Sequence, residues 1–282
     1  VTLNVTVDPY ATGTYTLGSE QQVADITITN GSYDISQVRE RPEPIRLNGG
    51  GYAIAWTKTD SNGTGQNVYY RMFDAAGTAT TGILLASVVT AEGQMTVNGT
   101  ALADGGFALV WQENNLSAPA GRQVWRRFDA SGVAQTGEMS TMPAPSGGGY
   151  WNANGGEIVQ LSDGTIAVLW SGRIGTQDYD IYMSRFATDG TAIGAPVMVN
   201  TATAGHQNLA RATALANGNV VVIWTDTDGS NDGVFQRIMA ADGTAVTAQA
   251  MVNTASANTQ TWPEITTLLD GGYVVTWSSY GQ

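Results

Sequence analysis

Three glutamates at matching places in the sequence could carry out acid–base chemistry. Glu43, Glu157 and Glu264 each lie near the beginning of a short segment with strand-like composition. Hydrolysis of a glycosidic bond requires two carboxyl groups at a defined separation, one protonated and one ionised. Their similar places allow a funnel that contains several carboxylates. They recur as part of a repeat, however, whereas a catalytic pair usually breaks such symmetry, so the recurrence counts against catalysis.

Other signs of catalysis are weak. Glu92, Glu113 and Glu138 do break the repeat, but no recognisable motif surrounds them. The sequence contains no G-x-S-x-G, HExxH or phosphate-binding glycine loop. We therefore expect the protein not to be an enzyme, and we keep a glycosidase as the less favoured alternative.

A calcium site is suggested by the segment TDTDGSNDG, which presents Asp226, Asp228, Ser230 and Asp232 at alternate positions. This spacing can turn several oxygens toward one hard cation. The loop is not an EF-hand, because Asn231 stands at the sixth position and Arg237 at the twelfth. Two interpretations stay open, a calcium ion that stabilises the loop or a solvated Asp/Gly turn, and the sequence favours the second.

A glycan site is suggested by three glutamines, Gln94, Gln207 and Gln260, each seventeen residues ahead of a tryptophan. Trp262, Trp151 and His206 are further candidates, because aromatic faces beside amides suit sugar rings. If these positions are equivalent, they supply several similar pockets. The alternative is that the glutamines satisfy backbone groups between repeats.

One phrase recurs five times and defines the elements that must position these residues. It reads GGYAIAW, DGGFALVW, DGTIAVLW, NGNVVVIW and DGGYVVTW, and it closes at Trp56, Trp111, Trp170, Trp224 and Trp277. The intervals between the tryptophans are 53 to 59 residues. A fixed period of this length is typical of repeat architectures. We expect the shared tryptophans, with Phe73, Phe128 and Phe186, to pack between repeats.

The pattern within one repeat predicts four short strands joined by glycine-containing turns, an antiparallel meander. Such a unit cannot bury both faces alone, and stacking around an axis produces a β-propeller. We predict an all-β single domain over 1–282, a five-bladed β-propeller of four-stranded antiparallel blades. The predicted parts are closing strands over 1–40, blades over 41–95, 96–154, 155–207 and 208–260, and half a blade over 261–282.

The fifth blade contains only two strands in the predicted scheme. Ala24–Asn30 precedes RPEPIRL much as QAMVNTA precedes WPEITTL, so we expect Ala24–Asn30 to be its outermost strand. Val1–Leu17 would supply the remaining strand. Pairing of N-terminal strands with the C-terminal half-blade would remove the free edges of the ring.

Composition limits the partners. The formal net charge is −12, with one lysine, one histidine and no cysteine, so no basic surface is available for nucleic acid. The sequence contains no run of eighteen apolar residues, so it predicts no membrane-spanning helix. The acidic, lysine-poor and cysteine-free composition fits an extracellular or cell-surface protein.

The composite pattern of WPEITTLLDGGYVVTWSS, RFDASG and VNT resembles repeats of large secreted bacterial proteins of the haemolysin-type calcium-binding and adhesin class. The resemblance covers about 42–282 and implies an extracellular binding or adhesive module. A five-bladed ring of this size is also similar in architecture to tachylectin-type lectins. We expect a non-catalytic module that binds glycan or a cell-surface protein. The alternative is a structural subunit that self-assembles.

Overall fold

The computed structural model describes residues 42–59, 66–90, 93–114, 122–141, 156–173, 178–227, 231–254 and 257–280. All the described residues belong to one compact unit, Tyr33–Gln282. These residues form eighteen β-strands and no helix. Within this described part, there is accordingly no helix that could cross a membrane.

The strands form five antiparallel sheets, and each sheet pairs its strands in chain order. The first sheet contains β1 (Glu43–Arg46), β2 (Tyr52–Thr59), β3 (Gln66–Phe73) and β4 (Leu84–Leu85), and the second contains β5 (Gly93–Ala101), β6 (Phe107–Asn114), β7 (Arg122–Phe128) and β8 (Met139–Ser140). The third contains β9 (Glu157–Gln160), β10 (Ile166–Gly172), β11 (Asp180–Phe186) and β12 (Val197–Met198), and the fourth contains β13 (Asn208–Ala214), β14 (Val220–Thr227), β15 (Asp232–Met239) and β16 (Ala250–Met251). The fifth consists of β17 (Gln260–Thr267) and β18 (Tyr273–Ser279).

The predicted all-β fold of four-stranded antiparallel meanders is confirmed, and the repeated sheets fit a propeller. The number of blades and the closure of a ring stay predictions. The segments predicted to close the ring, in 1–40, lie outside the described residues.

The recurring Asp-Gly dipeptide forms the turn between the first and second strands of a sheet. In the third sheet, Gly164 has a φ of 84° and its N–H donates to Leu161 O at 2.9 Å. Asp163 Oδ1 accepts a hydrogen bond from Thr165 N at 2.9 Å, which satisfies a backbone donor inside the turn. Glycine suits this place because its φ lies in the left-handed region, which costs other residues energy.

The core lies between consecutive sheets. One cluster joins the first and second sheets, another the second and third, and another the third and fourth. Trp111, Trp170 and Trp224 are fully buried, as expected, whereas Trp277 in the two-stranded sheet is 38% exposed. The first strands β1, β5, β9, β13 and β17 contact one another in chain order. Each of the first four sheets therefore shares a hydrophobic core with its neighbours.

Candidate functional site

Five polar residues occupy the same register position, one on the first strand of each sheet. Each pairs with the residue just before the closing tryptophan of its repeat. We call them the first-strand set: Glu43, Asn98, Glu157, Arg211 and Glu264. Each partner is the fourth residue of its second strand, so the set lies near the middle of the sheets. We call the end of the sheets at which the first strands begin the entry end. The fold therefore delivers three carboxylates, one guanidinium and one amide to equivalent places.

Side chains of this set reach from one sheet to the next. Asn98 Nδ2 donates a hydrogen bond to Gly156 O at the start of the third sheet. Arg211 Nε lies 3.8 Å from Glu157 Oε2 in the preceding sheet and 3.2 Å from Glu264 Oε2 in the following one. One guanidinium thus contacts the carboxylates of two other sheets.

Burial differs within the group. The side chains of Glu157 and Arg211 are only 16% and 17% exposed, whereas that of Glu264 is 61% exposed. Burial raises the pKa of Glu157 to about 8, against the lowering effect of Arg211, and the charges of Glu43 and Glu264 add to the increase. Burial also raises the pKa of Glu43 to about 7, again opposed by Arg211. Glu157 therefore holds a proton at neutral pH, because desolvation outweighs the single guanidinium.

A β-bulge precedes the first-strand residue in three sheets. The register shifts between Met95 and Asn98, between Asn208 and Arg211, and between Thr261 and Glu264. Two residues ahead of the set, Thr96, Leu209 and Trp262 have φ values of 48°, 55° and 56°. Left-handed backbone is unfavourable for such side chains, and bulges commonly re-aim a neighbouring residue beside functional sites.

The arrangement has the components of carboxylate acid–base chemistry. A protonated buried carboxyl can donate a proton, and a carboxylate held by a guanidinium can act as a base or a nucleophile. Arg211 Nε is close to one oxygen of Glu157 and one of Glu264, so these oxygens are at most about 7 Å apart. That limit includes the carboxylate spacing of about 5 to 5.5 Å typical of retaining glycosidases.

The three glutamines predicted to bind glycan are buried at the beginnings of first strands or just before them. Gln94 Nε2 donates to Val89 O at 3.0 Å, and Gln260 Nε2 donates to Ala257 O at 2.9 Å. Gln207 Nε2 donates to Asp226 Oδ1 at 2.9 Å. These amides bond to the protein itself, which is the geometry of the structural alternative. Their role in ligand binding stays a prediction.

The other predicted ligand residues lie at separate places. Trp262 is 46% exposed at the bulge of β17, two residues before Glu264. His206 is exposed, accepts a hydrogen bond from Tyr179 N at 3.3 Å, and has Nδ1 4.0 Å from Asp178 Oδ1. Trp151 lies outside the described residues.

The predicted calcium loop is described only at its ends. Asp226 is buried, and its Oδ1 accepts hydrogen bonds from Gln207 Nε2 and from Thr227 N at 2.7 Å. Asp232 begins β15 and is exposed. Asp228 and Ser230 lie outside the described residues, and within the described part no group of three or more acidic or histidine side chains is arranged to hold a metal ion. Calcium binding stays a prediction.

Sequence reasoning singled out the three glutamates but not Arg211 or Asn98. The missing signal was the spacing, because every member of the first-strand set lies thirteen residues before its closing tryptophan. Arginine and asparagine differ from glutamate in residue type, so only this spacing identifies Arg211 and Asn98 as occupants of the same position. The low exposure of Glu157 also depends on packing between sheets, and the spacing of residues in the sequence does not predict that packing.

No protein-family model and no curated protein matches the sequence. Among solved structures, the chain is similar to an α-L-arabinanase of Penicillium chrysogenum complexed with arabinobiose, with a TM-score of 0.62, 14% identity, and coverage of 88% of this chain and 77% of that one. It is also similar to an α-L-arabinofuranosidase of Fusarium graminearum, with a TM-score of 0.60, 12% identity, and coverage of 86% and 76%. A protein of unknown function from Dyadobacter fermentans gives a TM-score of 0.54 at 13% identity, with coverage of 84% and 74%. At these identities the likeness concerns the fold.

These matches correct the functional expectation. The prediction of a non-catalytic binding or adhesive module is wrong, because the structural matches include an arabinanase and an arabinofuranosidase and favour the glycosidase alternative. These matches show no haemolysin-type or adhesin family. Interaction with carbohydrate is the part of the expectation that they support.

Proposed function

We propose that the protein is a glycoside hydrolase whose active site is built from the first-strand set of a five-bladed propeller. The observation that carries the proposal is the Glu157–Arg211–Glu264 arrangement, in which one guanidinium joins a mostly buried and an exposed carboxyl group from different sheets. Five sheets that follow one another in chain order support the blade number.

In the proposed reaction, Glu157 is the general acid. Its raised pKa keeps the carboxyl protonated at neutral pH, and the proton passes to the glycosidic oxygen as the bond to the anomeric carbon breaks. The leaving sugar departs as a neutral alcohol, and Glu157 becomes a carboxylate. Arg211 limits the cost of that new charge, because its guanidinium is 3.8 Å away.

Glu264 provides the second carboxylate. Its hydrogen bond to Arg211 fixes one oxygen, and its exposure leaves the group accessible to a substrate. It either attacks the anomeric carbon or removes a proton from the attacking water, which are the two roles of the second carboxylate in glycosidases. Glu43 is a third acidic group whose charge favours the protonated form of Glu157.

The substrate class that fits these groups is a neutral glycan. With Glu157 protonated, the charges of Glu264 and Arg211 nearly cancel, so the site has no surplus of positive charge to hold a uronic acid. The names of the structural matches support trials with arabinan and arabino-oligosaccharides first.

The test is release of reducing sugar from linear arabinan, arabinoxylan, xylan and mannan. We expect Glu157→Gln and Glu264→Gln to lower activity by a factor of about 100 to 10,000. Glu138→Gln is the control, because Glu138 lies outside the first-strand set and its remaining oxygen can still accept from Val88 N. Activity absent over the whole panel, or retained by Glu157→Gln, would overturn the proposal.

A further inference from the structure

Trp262 combines an exposed apolar surface with an unfavourable backbone conformation. It is 46% exposed and has a φ of 56°. Glycine is the usual occupant of left-handed backbone, and a bulky residue there is a genuine outlier. Such outliers concentrate at binding and catalytic sites, where the rest of the fold holds them in place.

The place of Trp262 in the fold links it to the carboxylates. It lies in the bulge of β17, two residues before Glu264, which bonds to Arg211 at 3.2 Å. Thr96 and Leu209 occupy the corresponding bulges of β5 and β13 with nearly the same φ. The bulge is therefore a shared backbone device, and the indole is what distinguishes the fifth sheet from these two.

An exposed indole beside hydrogen-bonding groups suits a sugar ring, because the apolar C–H face of the sugar stacks on the aromatic face while hydroxyls reach polar groups. We propose that Trp262 is the stacking residue of a subsite for one neutral sugar unit, next to Glu264 at the entry end. The left-handed bulge holds the indole at this position. The inference rests on the proposed function only for the identity of the neighbouring catalytic groups.

A binding measurement tests the role of Trp262 independently of catalysis. Titration calorimetry of arabinotriose, xylotriose and mannotriose against the Glu157→Gln protein measures affinity without turnover. We expect Trp262→Ala in this background to weaken the binding of the preferred trisaccharide about tenfold, and Trp262→Phe to weaken it about threefold. Trigalacturonate should not bind measurably.

Glycine variants distinguish stacking from backbone strain. Trp262→Gly keeps the left-handed backbone accessible, so we expect a folded protein that binds as weakly as Trp262→Ala. Thr96→Gly is the matched control at the same bulge position, and its affinity should stay within about twofold of the parent. Circular dichroism spectra identical to the parent verify that each variant is folded.

Three results would overturn the inference: unchanged affinity in Trp262→Ala, unchanged affinity in Trp262→Gly, or trigalacturonate bound as tightly as the neutral sugars. If hydrolysis is absent but binding depends on Trp262, the glycoside hydrolase proposal fails and the stacking subsite stands. If hydrolysis is present and Trp262→Ala retains the parent affinity, the subsite alone fails.

Discussion

Arg211 Nε lies 3.8 Å from Glu157 Oε2, although the two residues belong to the first strands of different sheets. The guanidinium lowers the pKa of Glu157, but desolvation and two nearby glutamates outweigh it and raise that pKa to about 8. The protonation of Glu157 is thus controlled by residues that can be changed one at a time.

The pH dependence of activity should show this control. We expect kcat/KM to fall above about pH 8 by about tenfold for each further pH unit, because Glu157 loses the proton that a general acid must donate. Initial rates on linear arabinan between pH 5 and pH 10 measure this limb. A constant rate up to pH 10 would contradict the assignment of Glu157 as the acid.

Two substitutions should move that limb in opposite directions. Glu43→Gln removes a charge that raises the pKa of Glu157, so the fall should begin at lower pH. Arg211→Met removes the charge that lowers it, so the fall should begin at higher pH, together with a reduced maximal rate. The shift is expected to be on the order of one pH unit in each case. If the pH at which kcat/KM begins to fall moved in the same direction and by the same amount in both variants, Glu157 would not be the titrating group.

Glu157 should also make stability depend on pH. Its pKa is about 8 in the folded protein against an ordinary value of 4.5, so the native state binds more protons between these values. Its stabilising contribution is complete below pH 4.5 and is lost as the pH rises toward 8. As the pH rises from 4.5 to 9, we expect the free energy of unfolding of Glu157→Gln to increase by about 1 to 4 kcal/mol relative to that of the parent.

Urea unfolding at several pH values measures this difference. Comparison with the variant cancels the contributions of carboxylates that are common to both proteins. Parallel pH profiles would show that Glu157 ionises normally in the folded state.

Gln207 provides a test of the buried glutamines. Its Nε2 donates to Asp226 Oδ1 at 2.9 Å and to Ala204 O at 3.2 Å. We expect Gln207→Ala to lower the free energy of unfolding by about 1 to 3 kcal/mol, because a buried carboxylate loses a donor. Gln135→Ala, at an exposed position, should lower it much less. Loss of glycan affinity without loss of stability would instead support the predicted ligand role of Gln207.

The closing tryptophans should differ in their contribution to stability. Trp170 is buried, stacks on Tyr182 with ring centroids 4.6 Å apart, and donates to Ser184 Oγ at 2.9 Å. Trp170→Ala should cost about 3 to 5 kcal/mol, as expected for a large cavity. Trp277→Ala should cost about half of that or less, since Trp277 is 38% exposed. Equal losses in thermal or urea unfolding would show that Trp277 is as buried as Trp170.

Much of the fold could be predicted because the repeat marks its own turns and buried tryptophans. The segment DGTIAVLW predicted a glycine turn and a strand ending in a buried tryptophan, and Gly164 and Trp170 have those roles. The site was less predictable. The sequence places Arg211 on a strand but does not show that its side chain reaches Glu157 and Glu264, and it does not show that Gln207 points into the protein.

The register shared by the first-strand set separates the scaffold from its chemistry. Each repeat contributes the same backbone position, so five codons determine the charge, acidity and hydrogen-bonding character of the site, while the tryptophans and glycine turns remain as they are. Exchange of only these five side chains is correspondingly a compact route to new specificities on an unaltered framework.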